Sequence, residues 1–269
     1  MKKLSLFLSI ITAFAIFTTG CQSKTESKVL KIGATPVPHA EILNLVKDDL
    51  EKEGITLEIT EFTDYIQPNI AVDNGDLDAN FFQHLPYLEN FCEKQSTKLI
   101  SLATIHVEPL GLYSTKYTDI NDLPIGSKIA LPNDPTNEGR ALLLLQSNNL
   151  IELSKESGLS ATIKDITNNP KNLVFSELEA AQLPRVLNEF DGAIINGNYA
   201  LEADLSPAKD SLIVEGAESP YANIIAIKDT DKDRDDLNVL VNALQSEKVK
   251  NYILENYNGG VLPAFSKTK

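Results

Sequence analysis

Arg140 and its surroundings carry the strongest chemical signal in this chain of 269 residues. They run Leu131-Pro132-Asn133-Asp134-Pro135-Thr136-Asn137-Glu138-Gly139-Arg140, followed by an apolar stretch from Ala141 to Leu145. Lys128 to Leu131 reads as a short strand, the two prolines as a forced turn, and Arg140 to Asn148 as a helix. A strand, an Asx-rich loop and a helix start leave several backbone N–H groups converging on one spot, where the helix dipole favours negative charge. A cation in that first turn is unfavourable unless an anion lies beside it. The planar fork of arginine matches a carboxylate or phosphate with two parallel hydrogen bonds. The pattern predicts an anion site at Arg140; it also fits an exposed arginine on a helix surface.

A second cluster is Asn80-Phe81-Phe82-Gln83-His84-Leu85-Pro86-Tyr87. Phe82, His84 and Tyr87 fall at a strand end and the helix start after it, where open α/β sheets place their ligand contacts. Tyr65 ends another strand. Each aromatic by itself also reads as core; together they would line an apolar slot with polar edges.

The elements that must position these residues follow from hydrophobic periodicity. Strands are expected at Val29–Ala34, Ile55–Ile59, Asp78–Phe82, Leu99–Ile105 and Leu110–Tyr113. Further strands are expected at Lys128–Leu131, Thr162–Ile166, Asn172–Phe175, Gly192–Ile195, Ser211–Val214 and Ala222–Ile227. Helices are expected at Ala40–Leu50, His84–Gln95, Arg140–Asn148 and Ser176–Phe190 (interrupted at Pro184), with a long amphipathic one at Leu237–Asn256. This alternation predicts an α/β protein with mainly parallel sheets. Proline-containing interruptions near Glu108 and near Pro220 mark the points where the chain would cross into a second lobe and return. That division gives residues 29–108 with 222–269 as one lobe and 109–221 as the other. The gap between them is a natural ligand cleft, and the crossing strands are natural hinges.

Composition narrows the function. The formal net charge is −14, and −16 once Lys2 and Lys3 are removed. With no basic run, the charge argues against nucleic acid or anionic lipid as a partner. Lys2 and Lys3 precede an apolar stretch from Leu4 to Phe17, then Thr18-Thr19-Gly20-Cys21, the layout of an exported signal peptide over residues 1–20. Cys21 after Gly20 resembles the lipobox of bacterial lipoproteins, whose cysteine is diacylated after cleavage. Two acyl chains anchor stably where one does not, and residues 21–28 read as a polar tether. The remaining cysteine, Cys92, rules out a disulfide framework within the exported domain and reads as a buried, inert thiol.

Nucleophile-elbow, zincin, P-loop and dinucleotide-binding signatures are all absent from the sequence. With His39, His84 and His106 as the only histidines, little is available for acid–base work. The reading is therefore a binding protein rather than an enzyme, without a cofactor. Metal ligation by His84, His106 and Glu108 is conceivable, but no ligand spacing supports it.

Five motifs in order carry a family resemblance. They are Phe62-Thr63-Asp64-Tyr65, Asp78 through Tyr87, Pro132 through Arg140, Asn169-Pro170-Lys171-Asn172-Leu173 and Ser219-Pro220-Tyr221-Ala222-Asn223. Together they resemble the NlpA-type methionine-binding lipoproteins, the substrate-binding components of methionine ABC importers. The resemblance extends from Cys21 to Asn258-Gly259-Gly260. It implies a two-lobed periplasmic-binding-protein fold of type II-like build, closing on L-methionine or a close relative. Carried onto this chain, it assigns the ligand carboxylate to Arg140 with Asn137 beside it. The ammonium falls to Asn223 and Glu108 with Asn196 close by, and the thioether to Tyr65, Phe82, His84 and Tyr87. It further implies a membrane-tethered monomer on the extracytoplasmic face, delivering its ligand to an ABC permease driven by a cytoplasmic ATPase. A receptor for a Gly-Met-type dipeptide or D-methionine, and a surface lipoprotein acting through protein contacts, are the competing readings.

Overall fold

Two β-sheets carry the fold, and the chain visits them in three runs. The structure is a computed structural model and describes residues 27–216 and 219–267. The expected signal peptide, the Cys21 acylation site and most of the tether lie outside the described residues.

The first run comprises β1 (Lys28–Ala34), α1 (Glu41–Leu45), α2 (Lys47–Lys52), β2 (Ile55–Glu61), α3 (Gln67–Asn74), β3 (Ala79–His84), α4 (Leu85–Gln95) and β4 (Leu99–Val107). The second comprises β5 (Gly111–Tyr113), β6 (Lys128–Pro132), α5 (Pro135–Ser147), β7 (Glu152–Leu153), β8 (Ile166–Asn168) and β9 (Val174–Leu178). It continues through α6 (Leu183–Val186), β10 (Gly192–Ile195), α7 (Gly197–Glu202), α8 (Pro207–Asp210) and β11 (Ser211–Val214). The third run returns with β12 (Ala222–Lys228), α9 (Asp235–Leu244), α10 (Glu247–Asn256) and β13 (Leu262–Lys267).

Strand order is β13-β4-β12-β3-β1-β2 in one sheet and β11-β5-β10-β6-β9 in the other, with β7 and β8 forming a separate pair. Each lobe is thus built around its own sheet, covered by helices and cored on both faces. Leu30, Ile32, Ile42, Leu43, Leu240 and Ile253 pack on one face of the first sheet, and Val72, Leu77, Leu88 and Ile224 on the other. The sheets are mixed rather than mainly parallel. Pairings of β1 with β2 and β3, and of β6 with β9 and β10, are parallel. Strands next to the crossings are antiparallel: β12 to β3 and β4, and β5 to β10 and β11. A strand arriving from the other lobe enters from the opposite end, so its direction reverses.

Several elements depart from the periodicity. The helix expected over Ala40–Leu50 breaks at Val46 (φ −96°, ψ 0°), whose N–H bonds back to Leu43 O in a tightened turn. β9 begins at Val174 because Asn172 takes a left-handed conformation (φ 50°), and it runs on through Ser176 to Leu178 in register with β6. The strand expected at Thr162–Ile166 starts instead as a single 3₁₀ turn, Ile163–Asp165, closed by Thr162 and Asp165 capping each other. The long C-terminal helix is two, since Ser246 caps a new start at Val249 N–H. α3 and β13 carried too weak a pattern to be expected; β13 is an edge strand and tolerates Pro263. Cys92 is only half-buried, its Sγ contacting Leu99 O and Thr97 Oγ1.

The helix bearing Arg140 begins at Pro135, six residues before its apolar run at Ala141. Asp134 is the N-cap, accepting from Asn137 N–H at 3.0 Å, and Pro135 opens the first turn. Gly139 lets this helix touch the Gly158–Ser160 turn: a Cβ there would lie 2.2 Å from Leu159 O. Backbone faces backbone at that contact, so neither side can yield cheaply. Gly139→Ala should therefore destabilise the fold by about 1–3 kcal/mol despite its gain in helix propensity. Denaturant unfolding checks this, and a variant at least as stable as the parent contradicts the packing.

Candidate functional site

All of the expected contact residues line one pocket between the sheets. Tyr65, Phe82, His84, Tyr87 and Asn223 reach it from the first sheet and its helices, and Asn137, Arg140 and Asn196 from the second. Glu108 lies on the crossing segment between them. Gln83, Gly197 and Asn198 also line it, outside the expected contact residues.

The aromatic wall is tightly built. The Tyr65 ring stacks on Tyr199 with centroids 5.0 Å apart, and its centroid lies 5.8 Å from each of Phe82 and Tyr87. Tyr87 Oη donates to Tyr65 O at 3.0 Å, which holds the two rings in place. Two hydroxyls tie this wall to the opposite lobe: Tyr65 Oη donates to Asn198 Oδ1 and Tyr199 Oη to Thr63 O. The lobes are therefore in contact across the cleft.

His84 is the N-cap of α4 and bridges the lobes. Its Nδ1 accepts from Tyr87 N–H at 3.2 Å, so the proton sits on Nε2, which faces Asn137 Oδ1 at 3.3 Å. Burial, reinforced by the charge of Arg140, pulls its pKa down to about 3. It stays neutral there, with one nitrogen accepting and the other donating.

Glu108 forms a negative pole. One of its oxygens, Oε1, lies 2.7 Å from His106 Nε2 and 3.1 Å from His39 Nε2. Burial pushes the carboxyl upward, but the neighbouring His39 and the hydrogen bonds from both imidazoles outweigh it and hold the group ionised well below the usual carboxylate range. His39 Nε2 also lies 3.2 Å from Asn223 Oδ1, and its Nδ1 is 2.6 Å from Thr35 Oγ1. Asn196 Nδ2 donates to Asn137 Oδ1 at 2.8 Å, whereas its Oδ1 is buried with no partner. Asn196 and Glu108 both line the cavity. Gly197 is required beside them, because a Cβ would meet Glu108 Cβ at 2.6 Å. His39, which backs this pole, carried no sequence signal, since it sits in an irregular turn after β1.

His39, His106 and Glu108 have the composition of a metal site, their donor atoms lying within 4.8 Å of one another. The shortest contacts are hydrogen-bond lengths with protons between them, so the cluster reads as a hydrogen-bonded support for Glu108. It is also not the His84, His106 and Glu108 set considered from sequence.

Two expectations about Arg140 are corrected. It lies in the second turn of α5, not the first, and the first-turn N–H of Asn137 is already taken by Asp134, which also accepts from Asn137 Nδ2 and Thr136 Oγ1. It is not exposed either: 3% of its surface is accessible. Its Nε donates to Glu215 at 3.0 Å and its Nη2 to Glu108 O at 2.8 Å, while the Tyr221 ring lies 4.5 Å from Cζ. Glu215 was not anticipated, for its sequence neighbours give no sign of a partner 75 residues away.

In chemical terms the cavity offers a guanidinium, a carboxylate with an amide oxygen, and an aromatic slot. That arrangement suits a small zwitterion with an apolar side chain.

The profile of the NlpA lipoprotein family matches residues 30–265. The membrane lipoprotein TpN32 of Treponema pallidum is 40% identical over 255 residues, covering 94% of this chain and 95% of its own. The D-methionine-binding lipoprotein MetQ of Escherichia coli is 40% identical over 247 residues, covering 90% and 91%. A nutrient-binding protein from Burkholderia cenocepacia, solved bound to methionine, superposes with a TM-score of 0.85 at 47% identity, covering 88% of this chain and all of that one.

Any opening of the cleft that hydrates the His84 ring would return it to its ordinary value near 6.5 from the value of about 3 that burial gives it here. Closure therefore keeps its full stability above pH 6.5 and loses it as the pH falls towards 3, with one proton taken up on opening. Small-angle scattering across that range should show the closed fraction falling on acidification. The fall should be shallower in His84→Gln; an identical profile in that variant removes His84 from the linkage.

Proposed function

The chain belongs to the NlpA lipoprotein family, and on that premise we propose that it captures L-methionine outside the membrane and delivers it to an ABC permease. The observation that carries this reading is the pairing of opposite poles with an aromatic slot in a single cavity. A zwitterion buried between lobes loses its water, so both charges need full hydrogen bonding or binding fails. Arg140 would meet the carboxylate, with Asn137 beside it. Glu108 and Asn196 Oδ1 would accept from the ammonium, with Asn223 adjacent through His39. The side chain would lie among Tyr65, Phe82, His84 and Tyr87. Burying a methionine-sized side chain contributes about 1.5–3 kcal/mol, and each sulfur–aromatic contact adds about 0.3–1.5 kcal/mol. Leucine would gain nearly the same burial, so selectivity rests on the shape of the slot and the sulfur–ring contacts.

The lobes in this reading are residues 29–108 with 222–269, and 109–221, hinged on the two crossings. Cys21, diacylated after removal of residues 1–20, would tether a monomer to the extracytoplasmic face of the membrane. No helix among the described residues is long and apolar enough to cross it. The E. coli relative is named for D-methionine, which makes ligand stereochemistry the first point to test.

Thermal unfolding of the full chain with L-methionine, D-methionine, Gly-Met, leucine and glutamine discriminates the readings. A ligand at a hundredfold excess over its Kd stabilises the folded state by about 2.7 kcal/mol. L-Methionine should give the largest rise in Tm, and a response to none of the five would defeat the receptor reading. Phe82→Leu should bring the affinities for methionine and leucine closer together. An unchanged ratio between those affinities would take the ring–sulfur contact out of the selectivity argument.

A further inference from the structure

Arg140 is held on three sides before any ligand is considered. Its Nε donates to both oxygens of Glu215, at 3.0 and 3.2 Å, and its Nη2 donates to Glu215 Oε2 and to Glu108 O. Tyr221 covers a face of the guanidinium. None of these contacts uses Nη1. Glu215 does not line the cavity although Arg140 does, so the carboxylate stands behind the guanidinium as seen from the cleft. Glu215 is itself anchored at the return crossing: its N–H donates to Leu110 O at 2.9 Å, and Leu110 N–H reaches its Oε2 at 3.4 Å.

We propose that Glu215 is a positioning residue for the carboxylate pole: it clamps the Nε–Nη2 edge of Arg140, so that a ligand carboxylate is met end-on through Nη1 rather than by the two-pronged fork. The fork that arginine commonly offers to a carboxylate is already filled from within the protein. Glu215 thereby fixes where the remaining donor points. It also offsets part of the positive charge that the ligand would otherwise face alone. Glu215→Gln places an amide NH₂ where one carboxylate oxygen accepts, setting donor against donor along that edge. The guanidinium must then turn, and Nη1 leaves its place. The effect falls on ligands that carry a carboxylate and spares those that do not.

The inference rests on the methionine reading for its ligand but not for its geometry, and two measurements on the full chain separate them. By calorimetry, Glu215→Gln should weaken L-methionine binding at least tenfold and L-methioninamide less than threefold, shrinking the ratio between them. A merely structural role would weaken both alike, so a ratio within twofold of the parent overturns the proposal. In an Arg140→Ala background the same change should have no further effect on that ratio; a further shrinkage of it there also overturns the proposal. By NMR of the arginine side chains in the parent, Arg140 should show slow rotation about Cζ–Nε with resolved Nη signals, merging in Glu215→Gln. Merged signals in the parent overturn the clamp. If the parent binds no L-methionine, the proposed function fails and the NMR result alone decides whether Glu215 holds the guanidinium.

Discussion

A guanidinium out of water must be compensated where it stands, and the compensation of Arg140 organises this molecule. Removing one partner of a buried pair leaves an uncompensated charge at a cost of about 3–5 kcal/mol. Arg140 is linked to Glu215 on one crossing segment and to the carbonyl of Glu108 on the other. The same group that faces the cavity therefore ties together both strands on which the lobes would move.

The opposite pole follows the same logic with different parts. Glu108 could not remain ionised in a dry cavity without donors, and His39 and His106 supply them. Both imidazoles place an Nε2 within hydrogen-bond distance of the same carboxylate oxygen. His84 works between the lobes, accepting from its own helix and donating across the cleft. Between the poles the rings of Tyr65, Phe82, Tyr87 and Tyr199 provide an apolar wall whose hydroxyls point away to fixed partners. Polar edges on an apolar slot arise because tyrosine keeps its body and its tip in different surroundings.

What the amino-acid sequence determined by itself was local and periodic. Alternation and helical spacing located most strands and helices, Pro86 marked a helix start, and the family resemblance carried by five motifs named residues that line one cavity. Short-range chemistry is written in neighbouring residues, so a reading of neighbours finds it. Tertiary structure decided what depends on distant partners. β9 runs through Ser176 because β6 offers hydrogen bonds to it. In the first turn of α5 the Asn137 N–H serves Asp134. Arg140 is buried rather than exposed because Glu215 and Tyr221 arrive from the other end of the lobe. His39 joins Glu108 only once β1 and the first crossing come together. Charge pairing across such separations leaves no periodic trace, because its energy depends on positions in space that exist only after the sheets have formed.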